Sequence, residues 1–278
     1  MSFRDILVHV DDRATSARRC ALASAIASKS EARLTGVYLR MPYPSDVFAA
    51  ERLAYLPRAA AEALKAQHDA DEKRAVEAAE QTLRRAADLA STSFEWRLID
   101  GDTNDELIRA ARRTDLVIFP PCAITGVGGR MIDAATLGLA CGGPVLVAPE
   151  QGVWPAAPRR ILVAWKDTRE AARALHDAWP FLDNAEEVAV VMVRPSADDA
   201  GEARLAEHLA RHGCKARIVV ERHEDMSAAE VLRHQVKALE ADLVVMGLYG
   251  RPRVSEWVLG GVSRAFLDDP PAPLLVSH

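Results

Sequence analysis

Residues 242–264 read DLVVMGLYGRPRVSEWVLGGVSR. The apolar run 243–246 has the length and composition of a buried strand, and Gly247 and Gly250 follow it closely. A second glycine pair, at 260–261, precedes a short helical pattern. A helix that begins after a glycine loop offers unpaired N–H groups to a phosphate, and the glycines let the backbone approach it. The stretch predicts an α/β unit with a candidate phosphate loop; the alternative is that the glycines only allow tight turns.

Three short apolar phrases each occur twice in this chain, and their order is the same. The pairs are residues 6–11 with 161–166, 115–119 with 242–246, and 143–148 with 272–277. A repeat on this scale indicates a duplicated domain rather than a short solenoid period. We therefore expect two domains, at residues 1–150 and 159–278, with the proline-containing segment 151–158 as the linker.

The first half is longer than the second. Residues 6 and 115 are 109 positions apart, whereas residues 161 and 242 are 81 apart, which leaves 28 extra residues in the first half. We place them within residues 41–77, which open with MPYPSD and continue as an alanine-rich helical run. The first domain is thus predicted to carry a long insertion.

Both halves alternate short apolar runs with longer helical patterns. The predicted helices span 16–30, a long stretch to about 91, 104–113, 168–180, 201–213, 228–240 and 262–268. Strands that are apolar on both faces are typical of buried parallel sheets. The alternation predicts two tandem doubly wound parallel-sheet domains of a Rossmann-like kind, with right-handed crossovers. Ligands of such sheets bind beyond the carboxyl ends of the strands, where the glycine loop after residue 246 emerges.

The overall composition limits the classes of partner. The net charge of −5 and the pI of about 5.9 give no support for binding to nucleic acid or to an anionic membrane. No signal peptide and no run of about 18 uncharged apolar residues is found. The four cysteines are widely spaced, without a CxxC pair, which indicates reduced thiols. We predict a cytoplasmic protein without a nucleic-acid or membrane partner.

The duplicated phrases and the glycine spacing G-x2-G-x9-G resemble the universal stress protein family in its tandem two-domain form. The resemblance covers nearly the whole chain and is strongest over residues 159–278. In that family, members with the full loop bind ATP, and a serine or threonine of the loop meets the phosphates. An aspartate at the end of the first strand contacts the adenine. The resemblance implies a non-catalytic stress-response protein with ATP or a related adenine nucleotide, and Mg²⁺ with it, as its ligand.

Two positions of the second half depart from the family pattern. Lys166 stands where the family has its aspartate, and Gly261 stands where it has the hydroxyl, although Ser263 can partly substitute for that hydroxyl. A lysine could neutralise phosphate, but it cannot accept a hydrogen bond from the adenine amino group. The alternative is that Lys166 and Asp167 form an ordinary solvated pair. An unmatched polar edge costs roughly 1–3 kcal/mol, or about tenfold to a hundredfold in affinity. Trp165 is either a stacking partner for a base or a core residue. Weak ATP binding is therefore expected.

The first half keeps the aspartate of the family pattern and departs from the pattern at the phosphate loop. It keeps Asp11 at the strand end, but Gly126 and Gly129 lie further from their strand, and Pro120 and Pro121 remove two N–H donors. We expect nucleotide binding that is weaker than in full-motif relatives or confined to the C-terminal half. The candidate nucleotide-binding residues are Ala164, Trp165, Lys166, Met246, Gly247, Gly250, Gly260, Gly261, Val262 and Ser263, together with Asp11.

Other functions remain open at this stage. A ligand-free interaction scaffold with decayed sites is the main alternative, and a slow ATPase would have only Glu256 as an acid within the loop.

We predict no catalytic residue and no metal ligand. His208 and His212 have metal-capable i, i+4 spacing, but the pattern favours solvated helix histidines. In the related family the last strand of each domain pairs across an interface, which implies an intrachain pseudo-dimer and a homodimer.

Overall fold

The computed structural model describes residues 2–40, 57–100, 104–125, 130–152, 154–194, 199–222, 225–248 and 261–278. Within these residues each half alternates strands and helices. The elements of the first half are β1 Asp5–His9, α1 Ser16–Ser30, β2 Arg33–Arg40, α2 Arg58–Leu89, β3 Phe94–Asp100, α3 Asn104–Ala111, β4 Leu116–Phe119, β5 Cys122–Thr125, β6 Arg130–Asp133, α4 Ala134–Cys141 and β7 Val145–Val147.

The second half repeats the pattern without the long helix. Its elements are β8 Arg160–Ala164, α5 Arg169–Asp177, α6 Trp179–Leu182, β9 Glu187–Val193, α7 Asp199–Arg211, β10 Ala216–Glu221, α8 Ala228–Leu239, β11 Leu243–Gly247, α9 Gly261–Asp268 and β12 Leu274–Ser277. The 32-residue α2 of the first half stands at the place of the 13-residue α7. Much of the first half's extra length is therefore helical.

Ten of the strands form one sheet, in the order β10-β9-β8-β11-β12-β7-β4-β1-β2-β3. Every pairing in it is parallel except that of β7 with β12, where Leu146 lies opposite Leu275. Each half thus has its first strand in the middle and its later strands on either side of it. The predicted mostly parallel α/β fold is confirmed, and the last strands of the two halves join them into a continuous sheet.

Apolar side chains cover both faces of the sheet. Along β1, Ile6 and Val8 belong to one buried cluster, and Leu7 belongs to the other. The first cluster includes residues of α1, α2, α5 and α7, and the second includes residues of α3, α4, α8 and α9. Alternation along a strand therefore supplies two cores, as expected of a doubly wound sheet.

One local prediction from the sequence needs correction, and two elements of the fold were not predicted. The helix expected over 168–180 is two helices, because Pro180 lacks an N–H and cannot continue the first one; α5 ends at Asp177. The antiparallel β5–β6 hairpin was not predicted. Neither was α4, although Asp133 caps it by accepting a hydrogen bond of 2.6 Å from the Thr136 N–H.

Two global features accompany this fold. In the part of the chain that the structure describes, each helix is too short or too polar to cross a bilayer. All four cysteines are described and none forms a disulfide; Cys20, Cys141 and Cys214 are buried, and Cys122 is half-buried. Burial raises the pKa of the Cys122 thiol, so the structure gives no sign of an activated nucleophile there.

Candidate functional site

A cavity of about 620 Å³ opens at the carboxyl ends of β8, β9 and β11. Its wall is mainly apolar and includes a few polar side chains. The apolar wall consists of Ala164, Val191, Val193, Leu232 and Met246, and the polar side chains are Lys166, Thr168, Ser227 and Ser263. The cavity lies where ligands of doubly wound sheets bind, and its volume is that of a small-molecule site.

The turn after β8 brings Lys166 to the cavity. The backbone N–H of Trp165 donates to the carbonyl oxygen of Val191 (2.9 Å), so the chain follows β9 for one residue beyond the strand. The Thr168 N–H then donates to the Lys166 carbonyl oxygen (2.7 Å), and α5 begins. Trp165 is half-buried against the core that contains α1 and α5, which favours a packing role over a stacking role.

Gly247 is required by packing. A methyl group at this position would lie 2.5 Å from the carbonyl carbon of Glu170 and 2.6 Å from the backbone nitrogen of Ala171. The first turn of α5 therefore crosses the end of β11 in direct contact. At Gly261 the situation is different, because no described atom lies within 4 Å of such a methyl group. A serine side chain at residue 261 would meet no steric obstacle from the described residues.

Two helices begin at the cavity. The first turn of α8 lies on its wall, and Ser227 and Glu230 form a capping box there. The helix α9 begins at Gly261, and its Ser263 is buried, with its hydroxyl 3.5 Å from the carbonyl oxygen of Gly247. Helix N-termini carry partial positive charge and unpaired N–H groups. The start of α9 therefore favours an anionic ligand, whereas the start of α8 is already capped by Ser227 and Glu230.

The described lining of the cavity carries one positive charge and no negative charge. Among the described residues that line it, Lys166 is the only one with a charged side chain. Asp167, the acid nearest to Lys166 in sequence, is exposed and is not among the described lining residues. Of the acids in the first turns of α5 and α8, Glu170 pairs with Arg169, and Glu230 accepts hydrogen bonds from Ser227. Those hydrogen bonds hold the pKa of Glu230 below its usual range. A negatively charged ligand would thus meet no carboxylate of the described lining.

The structure brings most of the predicted site residues together. Those that line the cavity are Ala164, Trp165, Lys166, Met246, Gly247, Gly261, Val262 and Ser263. The residues outside the described ranges are Gly126, Gly129, Gly250, Glu256 and Gly260. Val191 and Val193 of β9 and the first turn of α8 also line the cavity, and they were not predicted from the sequence. The rule that ligands bind beyond the ends of adjacent strands would have pointed to them.

Asp11 lies in the first half, where two arginines hold its carboxylate. Arg13 donates to it from Nε (2.9 Å) and Nη2 (2.7 Å), and Nη2 of the buried Arg19 lies 3.2 Å from Oδ2. Burial alone would raise the pKa of Asp11, but Arg19 and Arg13 outweigh burial and hold it below its usual range. The carboxylate is ionised and already has its partners.

Aromatic rings fill the neighbouring space in the first half. His9 and Phe119 are buried, and their ring centroids are 5.1 Å apart with the planes tilted by 58°. In the duplicated phrases these positions correspond to Ala164 and Met246, which line the cavity of the second half. Burial, followed by the charge of Arg19, lowers the pKa of His9 to about 3, so the ring is neutral.

The hairpin covers the adjacent strand of the first half. Ala123 of β5 and Ile132 of β6 are fully buried, in one cluster with Val37 and Leu39 of β2. By the strand registers, these two β2 residues correspond to Val191 and Val193 of the cavity wall. The equivalent of the cavity wall is thus covered by the protein's own side chains.

His208 and His212 take part in an aromatic cluster. Their ring centroids are 4.8 Å apart, His176 lies 5.6 Å from His208, and Trp179 stacks on His212 at 4.6 Å. Across the described ranges, no group of three or more histidine, cysteine or acidic side chains is arranged to hold a metal ion. The stacking on Trp179 gives these histidines a packing role between α5, α6 and α7.

Comparison with known proteins identifies the second half. Residues 158–278 match the model of the universal stress protein family. These residues form a universal stress protein domain. The match begins just before β8 and includes the cavity, so the site described above belongs to this domain. A comparison with the curated proteins finds no match.

Solved structures resemble the chain over both halves. A universal stress protein of Archaeoglobus fulgidus superposes with a TM-score of 0.71 at 14% identity, covering 98% of this chain and 95% of its own. A candidate universal stress protein of Pseudomonas aeruginosa has a TM-score of 0.59 at 18% identity, covering 99% and 93%. At these identities the likeness shows the fold, and the two-half arrangement recurs in both.

Proposed function

We propose that this chain is a non-catalytic stress-response protein that binds a nucleotide in its C-terminal half, and that it binds ATP weakly. The observation that carries the proposal is the cavity at the ends of β8, β9 and β11, which lies in the universal stress protein domain. Its volume of about 620 Å³ suits a nucleotide. The first half, whose corresponding space is filled, is proposed to bind none.

The two ends of the cavity suit the two ends of a nucleotide. Val191, Val193 and Leu232 offer an apolar surface to a base, on the side of β9. Gly261 and Ser263 offer the start of α9 to phosphates, on the side of β11. Because β8 separates β9 from β11, these ends are about 10 Å apart, at about 4.8 Å for each strand spacing. A nucleotide lying along the sheet edge would span that distance.

The chemistry of the described lining favours binding over hydrolysis. It contains no histidine and no carboxylate that could orient an attacking water or serve as a direct ligand of Mg²⁺. A magnesium ion entering with ATP would be held by the phosphates and by water. We propose that the ligand acts by shifting the conformation or the assembly of the protein. The predicted homodimer and the cytoplasmic location are part of this proposal.

Native mass spectrometry and thermal melts of the full-length protein test the proposal, with ATP, ADP and Mg²⁺. We expect a bound nucleotide, or a melting temperature that rises with ATP concentration as ligand linkage requires. The double variant Lys166→Asp, Gly261→Ser should bind ATP about tenfold to a hundredfold more tightly. Bare protein, no shift at millimolar ATP and no gain in the double variant would contradict the proposal and favour a ligand-free scaffold.

A further inference from the structure

The donors and acceptors of the cavity select among nucleotides. Lys166 carries the only charged side chain among the described lining residues. An ammonium offers three hydrogen-bond donors and no acceptor. The Lys166 ammonium can therefore bind a base edge that accepts hydrogen bonds, but it cannot bind an edge that donates them.

The position of Lys166 places this group near the base end. It follows Trp165, whose N–H is bonded to Val191, so the chain is still beside β9 when it reaches Lys166. The phosphate end lies across β8, at β11 and α9, where a helix N-terminus already supplies positive charge. Lys166 is exposed and lines the same cavity as Val191 and Val193.

We propose that Lys166 is a specificity-determining residue and that the cavity prefers 6-oxopurine nucleotides to adenine nucleotides. The inference rests on the proposed nucleotide binding. At position 6, adenine carries an amino group that donates, and hypoxanthine and guanine carry a carbonyl oxygen that accepts. The Lys166 ammonium would donate to that oxygen. Facing the adenine amino group, it would leave two donors opposed, which would weaken the binding of ATP.

Isothermal titration calorimetry of the full-length protein with ITP and ATP tests this inference. The two ligands share ribose and phosphates and differ only in the group at position 6 and the proton on the adjacent ring nitrogen. We expect ITP to bind about tenfold more tightly than ATP. The reason is that ITP gains one charged hydrogen bond from Lys166, whereas ATP places its amino group against the same donor. GTP should follow ITP.

Three variants assign the preference to one side chain. Lys166→Asp should reverse it, because a carboxylate accepts from the adenine amino group and opposes the carbonyl oxygen. Lys166→Met, which keeps the stem of the side chain, should remove the preference and leave the fold intact because the residue is exposed. Asp167→Asn, the matched control at the neighbouring exposed residue, should leave the preference unchanged.

The outcomes separate this inference from the proposal on which it rests. Equal affinities for ITP and ATP would mean that Lys166 pairs with phosphate, and they would overturn the inference while nucleotide binding stands. Tighter binding of ATP would overturn it in the same way. If none of the three nucleotides binds, the proposed function fails and the inference fails with it.

Discussion

The two halves of this protein share a strand order and differ at a few positions at the sheet edge. Where the second half has Ala164 and Met246 beside an open cavity, the first half has the buried rings of His9 and Phe119. Where the second half has the exposed Lys166, the first has Asp11 held by two arginines. The apolar strands preserve the fold in both halves, and the side chains at their ends decide whether a cavity exists.

The closed half depends on a buried charge. Arg19 lies eight residues after Asp11, and the residue eight after Lys166 is the buried Ala174. The Arg19 Nε also donates to the carbonyl oxygen of His9 (2.7 Å), so one guanidinium binds both the strand end and the carboxylate. A buried charge is tolerated only when it is paired. The filled space at the strand ends of the first half is therefore stabilised by contacts among its own residues.

The largest effect is expected from Arg19→Met. The substitution leaves the Asp11 carboxylate without its buried partner and should lower the free energy of unfolding by about 4 kcal/mol. Urea unfolding of the full-length protein measures it. Arg18→Met is the matched control, because Arg18 is exposed and its Nη1 donates to the Glu150 carbonyl oxygen at the surface. Similar costs for both variants would contradict a structural role of the buried pair.

A glycine pair in the second half tests the contact between α5 and β11. Gly247→Ala places a methyl group against the backbone of Glu170 and Ala171, and we expect a loss of about 3 kcal/mol of stability from overpacking. Gly261→Ala meets no described atom and should be neutral or slightly stabilising, since alanine favours helix. Thermal melts of both variants measure these effects. An unchanged melting temperature in Gly247→Ala would show that α5 and β11 are further apart than described.

The buried histidine of the first half makes stability depend on pH. With a pKa of about 3 in the folded state and 6.5 as its ordinary value, His9 takes up a proton between these values only on unfolding. Stability therefore falls as the pH falls through this window, by about 2 kcal/mol from about pH 7.5 to about pH 5. Asp11, whose pKa is lowered, stabilises the folded state fully above its ordinary value of 3.8, and this contribution is lost only as the pH falls below that value.

The variant His9→Gln isolates this pH dependence. It should flatten the stability profile across the same pH window, as measured by urea unfolding at several pH values. His234→Gln, which alters an exposed histidine of α8, is the control and should keep the slope of the wild type. An unchanged slope in His9→Gln would show that another group is responsible.

Exchanging side chains between the halves should change the affinity for nucleotide, and the free-energy change should be smaller than the stability effects above. Ala164→His with Met246→Phe copies the filled half into the open one and should weaken nucleotide binding by at least about tenfold, or about 1.4 kcal/mol. The reverse change, His9→Ala with Phe119→Met, should create no new binding, because Ala123 and Ile132 still cover the strand end. Calorimetric titration with ITP or ATP measures both, and full binding by the filled variant would contradict the assigned site.

The sequence predicts the architecture well because its signals are local. Apolar runs such as 243–246 and 161–164 predict buried strands, and their duplication predicts two similar halves. The break before Pro180 and the cap at Asp133 are also local signals, which a closer reading of the sequence could have found. The filling of the first half depends on contacts between residues distant in the chain, such as His9 with Phe119. No local pattern reveals such packing.

The candidate site was predictable only in part, for the same reason. The loop glycines and the end of β8 are recognisable from spacing, but Val191 and the first turn of α8 reach the cavity through strand order alone. The roles of Gly247 and Gly261 also differ in a way that spacing does not show, since packing requires the first and not the second.

Hydrogen exchange of the full-length protein with and without saturating nucleotide tests the central claim most directly. If the second half is open and the first closed, added protection should appear at the ends of β8, β9 and β11 and at the first turns of α8 and α9. The ends of β1 and β4 and the β5–β6 hairpin should show none. Protection at Asp11 and the hairpin, or equal protection in both halves, would contradict the account.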